Sequence, residues 1–463
     1  NERRETRATS TRSRTQTGPG RDHGHSHDHG HGHGHGLEGS WDVWLQVPVL
    51  RIILVAVAVV AVLTVAGVVA LWPDGEGRDA AIGEAAELGL ATEQLDATVQ
   101  SVIEATCSYS APDDPQDCIS FSLIVHEGPD AGAIVILPEY NLRAFAPAPP
   151  ISVNDAIIVS YEPRTGSYYY ADRDRGNTLV WLAALFAMVV IALGRWRGVS
   201  ALVSMVMTVV VLVWFVAPSV LDGNDPVWVA VVAGSAIAFI SLFMTHGLNP
   251  TTTVALAGTL ASLLLTLAIS AVFFDLANFS GLATEEGLTL PLVSDINLSS
   301  LLLGGAVIGT LGALDDVTVT QVATVAELRH RNSRLTIAEL ITSGIRVGRE
   351  HIASTVNTLL LAYAGASMPL LLVFAASDQP LGVVANSEVV AVEIVRTLCG
   401  SIGLVAAVPV TTFMAAVLVG TAPDGVADES TPDTAKDEPG PSPLEAIADA
   451  QSPSWDDFGP VDD

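Results

Sequence analysis

Charge is what this sequence has least of. Only 15% of its 463 residues are charged, against about a quarter in an ordinary soluble domain, which excludes one large water-soluble core. Lysine is nearly missing: Lys436 is the single example. The net charge of −29, with the acids in the tails and outer loops, does not point to nucleic acid, and none is expected as a partner. The sequence also lacks a Walker A loop, a His-Glu-x-x-His pair and a Gly-x-Ser-x-Gly elbow, so no enzyme activity is expected. Cysteine is scarce. Cys107 and Cys118 lie in a polar stretch and Cys399 in an apolar run. In an oxidising exterior the first two would form a disulfide; the other reading is two unrelated thiols.

What is present in excess is apolar side chain, half of all residues, gathered into runs of about 20, the length that crosses a bilayer. The fold class expected is a polytopic α-helical membrane protein of about eight spans with a small all-β domain. The spans are read at 49–72, 178–193, 199–219, 227–245, 251–274, 298–325, 352–375 and 398–420. The first run is too long for a signal-peptide core and lacks a clear cleavage site, so it is read as a span. The stretch 387–397 is either an outer turn or the start of a longer last helix.

The remaining segments divide by composition. Residues 1–47 form a His-rich arm with too little apolar content to bury a core, and 421–463 form an acidic, Pro-rich tail; both are read as disordered. Residues 74–176 change to short β-type runs at 95–106, 119–127, 132–137, 155–161 and 167–171, separated by Gly, Pro and Asp. Five such strands suit a small barrel of the OB or SH3-like kind. Within the bundle, 178–420, the stretch 336–351 has Ile337, Leu340, Ile341, Ile345 and Val347 mostly on one face. It is read as an amphipathic helix on the inner membrane surface.

Orientation follows from the arginines. Arg195, Arg197, Arg329, Arg331, Arg334, Arg346 and Arg349 fall in alternate loops, while 220–226, 275–297 and 376–387 contain no Arg or Lys. Positive charge stays inside, which places both termini in the cytoplasm of a bacterial-type cell membrane and the β domain outside.

The chemistry concentrates in the sixth span. Asp315 and Asp316 follow one another with no basic neighbour, and each ionisable residue in a span costs about 2.5–3.5 kcal/mol on insertion scales. Neighbours on a helix point about 100° apart, so the two carboxylates cannot share one proton face to face. Asp316 shares a stripe with Gly305, Gly309, Gly312 and Thr320. Small residues let helices pack closely, so that stripe is expected to pack against another helix, with Asp316 either buried at the interface or beside a water-filled path. One reading is a cation or proton site with Asp315, Asp316, Thr318, Thr320 and Gln321 supplying oxygen, the ligand hard cations prefer. The other is a carboxylate that caps or bonds a neighbouring helix. Accessory candidates are His246, Asn249, Thr251 and Asn357. For Asn249 the simpler role is an N-cap ahead of Pro250, and for Glu393 and Arg396 a local ion pair.

In the arm, His23, His25, His27, His29, His31, His33 and His35 alternate with other residues. Such a tract binds transition metals loosely; in the cell it is either a metal-capturing arm or an inert, soluble one. No other cofactor is expected.

The run Gly312-Ala-Leu-Asp315-Asp316-Val-Thr-Val-Thr-Gln321, with Val325-Ala-Glu327-Leu, resembles the YibE/F-like membrane protein family. His246-Gly247-Leu-Asn-Pro-Thr-Thr-Thr and Gly348-Arg349-Glu350-His351-Ile-Ala-Ser-Thr355-Val-Asn357 support the resemblance, which covers about 95–420. It implies the same architecture and no particular activity. Two functions follow as expectations: transport of a small cation or proton-coupled solute, or a non-transporting assembly factor whose outer domain binds an envelope protein. An open polar path to Asp316 favours the first; a dry, tightly packed Asp316 favours the second.

Overall fold

The computed structural model describes residues 47–88, 92–111, 113–142, 149–377 and 379–421. The histidines from His23 to His35 and the tail beyond Thr421 lie outside the described residues. The chain opens with α1 (Pro48–Ala70), started by a proline in its first turn, where the missing N–H costs nothing. After Trp72-Pro73 a short helix, α2 (Glu76–Glu87), leads into the β domain.

That domain holds β1 (Glu93–Thr106), β2 (Asp117–Val125), β3 (Ile134–Ile136), β4 (Tyr140–Asn141), β5 (Ala156–Glu162) and β6 (Ser167–Arg173). They form one antiparallel sheet in the order β3-β2-β1-β5-β6, with β4 also on β2. All five expected strands are present; β4 is the addition. The core follows the period of two. Leu95, Ala97 and Val99 of β1 pack with Phe121, Leu123 and Val125 of β2 and Ile157 and Val159 of β5. Register shifts at Val99/Ser101 and Ile158/Val159 are irregularities of the kind that bend a sheet. Cys107 and Cys118 are joined in a disulfide that closes the loop between β1 and β2. Burial raises the Tyr168 phenol to about 12, helped by its hydrogen bond to Asp130, to whose Oδ2 it donates at 2.8 Å.

The rest is helical: α3 (Gly176–Val211), continued by a π turn (Leu212–Val216) into α4 (Ala217–Leu221), then α5 (Pro226–His246), α6 (Pro250–Ala277) and α7 (Glu285–Thr289). They are followed by α8 (Leu298–Arg331), α9 (Ile337–Ala366), α10 (Met368–Ala376), α11 (Leu381–Asn386) and α12 (Glu388–Gly420). Starts are written in the sequence: Asp225, Asn249 and Asn297 cap α5, α6 and α8 through side-chain oxygens. Thr336 and Glu339 form a capping box on α9. Three basic residues, Arg329, His330 and Arg331, end α8, where the helix dipole favours them.

Among the described residues six helices are long and apolar enough to cross a membrane, or seven if the bent pair α9–α10 is one span, against eight expected. The difference sits at Arg195. The expected spans 178–193 and 199–219 lie in one run, Gly176–Leu221, but Arg195 has φ 50° and ψ −129°, a non-helical break. The chain folds back there: a Cβ on Gly198 would strike the Val190 carbonyl, eight residues earlier, which a straight helix cannot bring near.

The last helix begins at Glu388, so of the two readings of 387–397 the start of a longer helix holds. One other element differs from expectation. The stretch 336–351 is not a separate surface helix, because it runs unbroken into the next span as α9. Its small-residue face is occupied: Gly344 meets Thr412 and Val325, Gly348 meets Val408, and Ile337 meets Gly420. Its apolar side is thus spent on α8 and α12, and the bend comes later. Between α9 and α10 the axis turns by 61°, just ahead of Pro369, which cannot continue the hydrogen-bond ladder.

Candidate functional site

Helix α8 presents two faces. Leu311, Leu314, Thr318, Val322 and Val325 are buried against the bundle, and Asp315 lies on this side. The hydroxyls of Thr259 on α6 and Ser241 on α5 stand at its carboxylate. Thr259 Oγ1 and Thr318 Oγ1 are 2.7 Å apart, and Thr318 also donates to the Asp315 carbonyl at 3.1 Å. The carboxylate Oδ1 is buried with no hydrogen-bond partner among the described residues. A buried polar atom without a partner is costly and rare in native structures. The cluster is therefore three hydroxyls and one carboxylate, one oxygen of which lacks a partner, with no cation beside it among the described residues.

The second face carries Gly305, Gly309, Gly312, Asp316 and Thr320, all exposed. Here the structure departs from the expectation of a tightly packed glycine stripe, and of the two readings of Asp316 it excludes burial at the interface. The Asp316 side chain is 70% exposed, and a Cβ added to Gly312 would meet nothing within 4 Å. The reason lies in where the close contacts are made. The glycines that admit a neighbour belong mostly to other helices: Gly258 receives Thr411, Gly400 receives Thr310 and Gly403 receives Thr266. On α8 the small residues instead leave room for long side chains. Tyr363 Oη reaches to 3.1 Å from a Cβ placed on Gly309, and the Arg396 guanidinium to 4.0 Å from one on Gly305. Arg396 in turn pairs with Glu393 at 2.8 Å, the local pair expected from their spacing.

This face is therefore a groove floored by α8 and flanked by α9 and α12. Beside Asp316, His351 Nε2 stands 3.8 Å from its Oδ2, beyond hydrogen-bond reach, and that nitrogen is buried without a partner among the described residues. Further along, a cavity of about 190 Å³ between α9–α10 and α12 shares Tyr363 and Glu393 with the groove.

The expected site residues therefore separate. Asp315 and Thr318 come together; Asp316 and Thr320 lie on the groove, where Thr320 donates to the Asp316 carbonyl at 2.7 Å. Gln321 belongs to neither: its Nε2 donates to the Gly344 carbonyl at 2.8 Å and to Thr412 Oγ1 at 2.7 Å, tying α8 to α9 and α12. Asn249 is the N-cap of α6, accepting from the Thr252 N–H at 2.7 Å and from Thr251 Oγ1 at 2.5 Å. His246 and Asn357 are exposed. Ser241 and Thr259 were not singled out from sequence, because lone hydroxyls in apolar helices carry no pattern. No group of three His, Cys, Asp or Glu converges as a metal site among the described residues.

A family model described as YibE/F-like protein matches residues 182–421, more than half of the chain, and the chain belongs to that family. The match begins inside α3 and ends just past α12, so the β domain precedes it. No curated protein and no solved structure matches the chain.

Proposed function

We propose that this YibE/F-like protein is a multi-pass transporter of a small cation, with Asp315 as its ion-binding carboxylate. The observation that carries the reading is the buried Asp315 Oδ1 without a partner, beside the hydroxyls of Ser241 and Thr259. A hard cation completes such a set of oxygens; a carboxylate serving only to hold helices together would have its hydrogen bonds made. Asp316 supports the same reading, being open to a groove rather than dry and packed.

The architecture that accompanies this function has eight spans. The run Gly176–Leu221 would be about 69 Å long as one helix, twice the apolar thickness of a bilayer, and Arg195 divides it into two crossings. Arg195, Arg197 and the 329–349 arginines then lie in the cytoplasm with both termini, and the β domain lies outside. We read that domain as a small OB or SH3-like barrel. Burial raises the Tyr140 phenol, and the Tyr170 backbone to which it bonds opposes the rise; this contact brings β4 and β6 near each other across the open side of the sheet.

A second reading rests on the outer domain. Ile134 and Ile136 of the edge strand β3 are exposed, a surface a partner envelope protein would cover, as expected of a non-transporting assembly factor. The two separate by experiment. In proteoliposomes, ion uptake should fall at least tenfold in Asp315→Asn, and cells carrying it should behave as a deletion in ion-sensitivity assays. Wild-type behaviour of the Asp315→Asn, Asp316→Asn double variant in every such assay would sink transport and leave the assembly role.

A further inference from the structure

We propose that the acidic segment 424–438 of the tail docks on the arginine-bearing turn between α8 and α9, as a clamp across the three helices that form the groove. The inference goes beyond the transport reading and stands or falls apart from it. The observation that carries it is where the last helix ends. A Cβ on Gly420, the final residue of α12, would come within 2.5 Å of Ile337 Cγ1 at the start of α9. The tail therefore leaves the bundle beside the turn 332–336, whichever side of a membrane that turn occupies.

Charge fits on both sides of this contact. The turn follows Arg329, His330 and Arg331 at the end of α8 and holds Arg334, with Arg346 and Arg349 further along α9. Two of the acids nearby are already engaged. Glu327 pairs with Arg331 at 2.6 Å, and Glu339 accepts from the Thr336 N–H at 2.8 Å in the capping box. Glu350 offsets one charge on α9, so the surface remains positive. Arg334, Arg346 and Arg349 are exposed and in no ion pair among the described residues. Opposite them the tail carries Asp424, Asp428, Glu429, Asp433, Asp437 and Glu438, with Lys436 its one cation.

Reach is sufficient. Asp424 is four residues past Gly420, at most about 14 Å of chain, and Arg334 is three residues before Ile337, at most about 11 Å. A single exposed ion pair contributes little. A tethered partner, however, is present at about millimolar effective concentration, and several pairs engage together. Anionic lipid headgroups also attract arginines beside a membrane, but the tail has the advantage of attachment at the turn itself. Docked there, it ties the end of α8, the start of α9 and the end of α12. Those helices floor and flank the groove at Asp316, so the clamp would hold the groove's width in a salt-dependent way.

The test uses the full chain carrying Ser333→Cys in the turn and Ser430→Cys in the tail. Cys399 is buried and Cys107 and Cys118 are joined, so the two added thiols are the ones that react. A short uncharged bismaleimide is applied in excess to protein in phosphatidylcholine nanodiscs. The ratio of internally cross-linked to doubly capped chains reads the proximity of tail and turn. That ratio should fall roughly fivefold or more in about 0.5 M NaCl, where the Debye length shrinks to about 4 Å. It should fall as far at low salt in Arg331→Gln, Arg334→Gln and in Asp424→Asn, Asp428→Asn, Glu429→Gln, each remaining monodisperse. A ratio indifferent to salt, or unchanged by the arginine substitutions, would put the tail elsewhere and overturn the inference. The last arm replaces about one-third of the lipid by phosphatidylglycerol. A ratio that survives supports docking of the tail; collapse to the level of the arginine variant would give the turn to the lipid surface and overturn it.

Discussion

Asp315 is held in place by what surrounds α8 rather than by its own side chain. Leu314, Val317 and Thr318 are all essentially buried, so the helix cannot rotate to bring the carboxylate out without exposing them. The sequence made both aspartates visible, because two charges in an apolar run stand out. It did not say which one faced in, since that depends on the partner helices. The stripe of glycines pointed to a packed interface that could bury Asp316, and the pointer failed because Gly258, Gly400 and Gly403 on α6 and α12 supply the close contacts. This distinction is measurable. Gly403→Ala places a methyl against the fully buried Thr266 and should cost about 1–3 kcal/mol by overpacking. Gly312→Ala meets nothing within 4 Å and should change stability by under about 0.5 kcal/mol. Thermal unfolding of the two purified variants in the same detergent checks the contrast; equal losses would return the glycine stripe to the packed interior.

Among the elements, those with local rules were legible and those defined by neighbours were not. Asn249-Pro250 and Asn297 announce helix starts, and the alternation in β1, β2 and β5 announces strands. The stretch 336–351 has a clear apolar face, but amphipathicity names no partner, and α12 covers that face instead of lipid headgroups. A contact between α2 and the end of α4 was also invisible, because it involves a side chain 145 residues away in sequence. Asp222 caps α2: its Oδ1 accepts from Gly77 and Arg78 at 3.0 and 3.2 Å, and its Oδ2 from Gly75 at 3.0 Å. Burial alone would raise this carboxyl, but the N–H groups of Gly75, Arg78, Asp74 and Gly77 outweigh it and hold it below its ordinary value. A carboxyl depressed in the folded state contributes stability above its unfolded value, near 4, and loses it as the pH falls through the folded one. The protection of amides 75–79, measured against their intrinsic exchange rates, should therefore fall below about pH 4 in wild type. In Asp222→Ala they should exchange roughly fivefold faster at neutral pH, the worth of about 1 kcal/mol for a lost cap. Unchanged protection in the variant would mean that α2 is held elsewhere.

At the scale of the whole molecule, apolar run length recovered nearly every long helix, whereas the side assigned to each loop by arginine placement is an expectation. What run length could not show was the fold-back at Arg195, which depends on a single residue with positive φ. The proposed eight-span arrangement makes a direct prediction about sidedness. In separate variants of intact cells, an outside-only thiol reagent should label Glu286→Cys and Leu381→Cys, and should label Trp196→Cys only after the membrane is opened. Labelling of Trp196→Cys from outside would place the 195–197 turn on the wrong face and remove one pair of crossings.

All of this serves one claim, that the buried carboxylate of Asp315 binds the transported ion. The most direct measurement is isotope exchange of Na⁺, K⁺, Mg²⁺, Mn²⁺ and Zn²⁺ by the purified full-length protein in proteoliposomes, wild type against Asp315→Asn and Asp315→Glu. The account predicts that at least one ion exchanges in wild type. That exchange should fall at least tenfold in Asp315→Asn and be partly restored in Asp315→Glu, which keeps the charge. An ion that exchanges equally well in wild type and Asp315→Asn would contradict it.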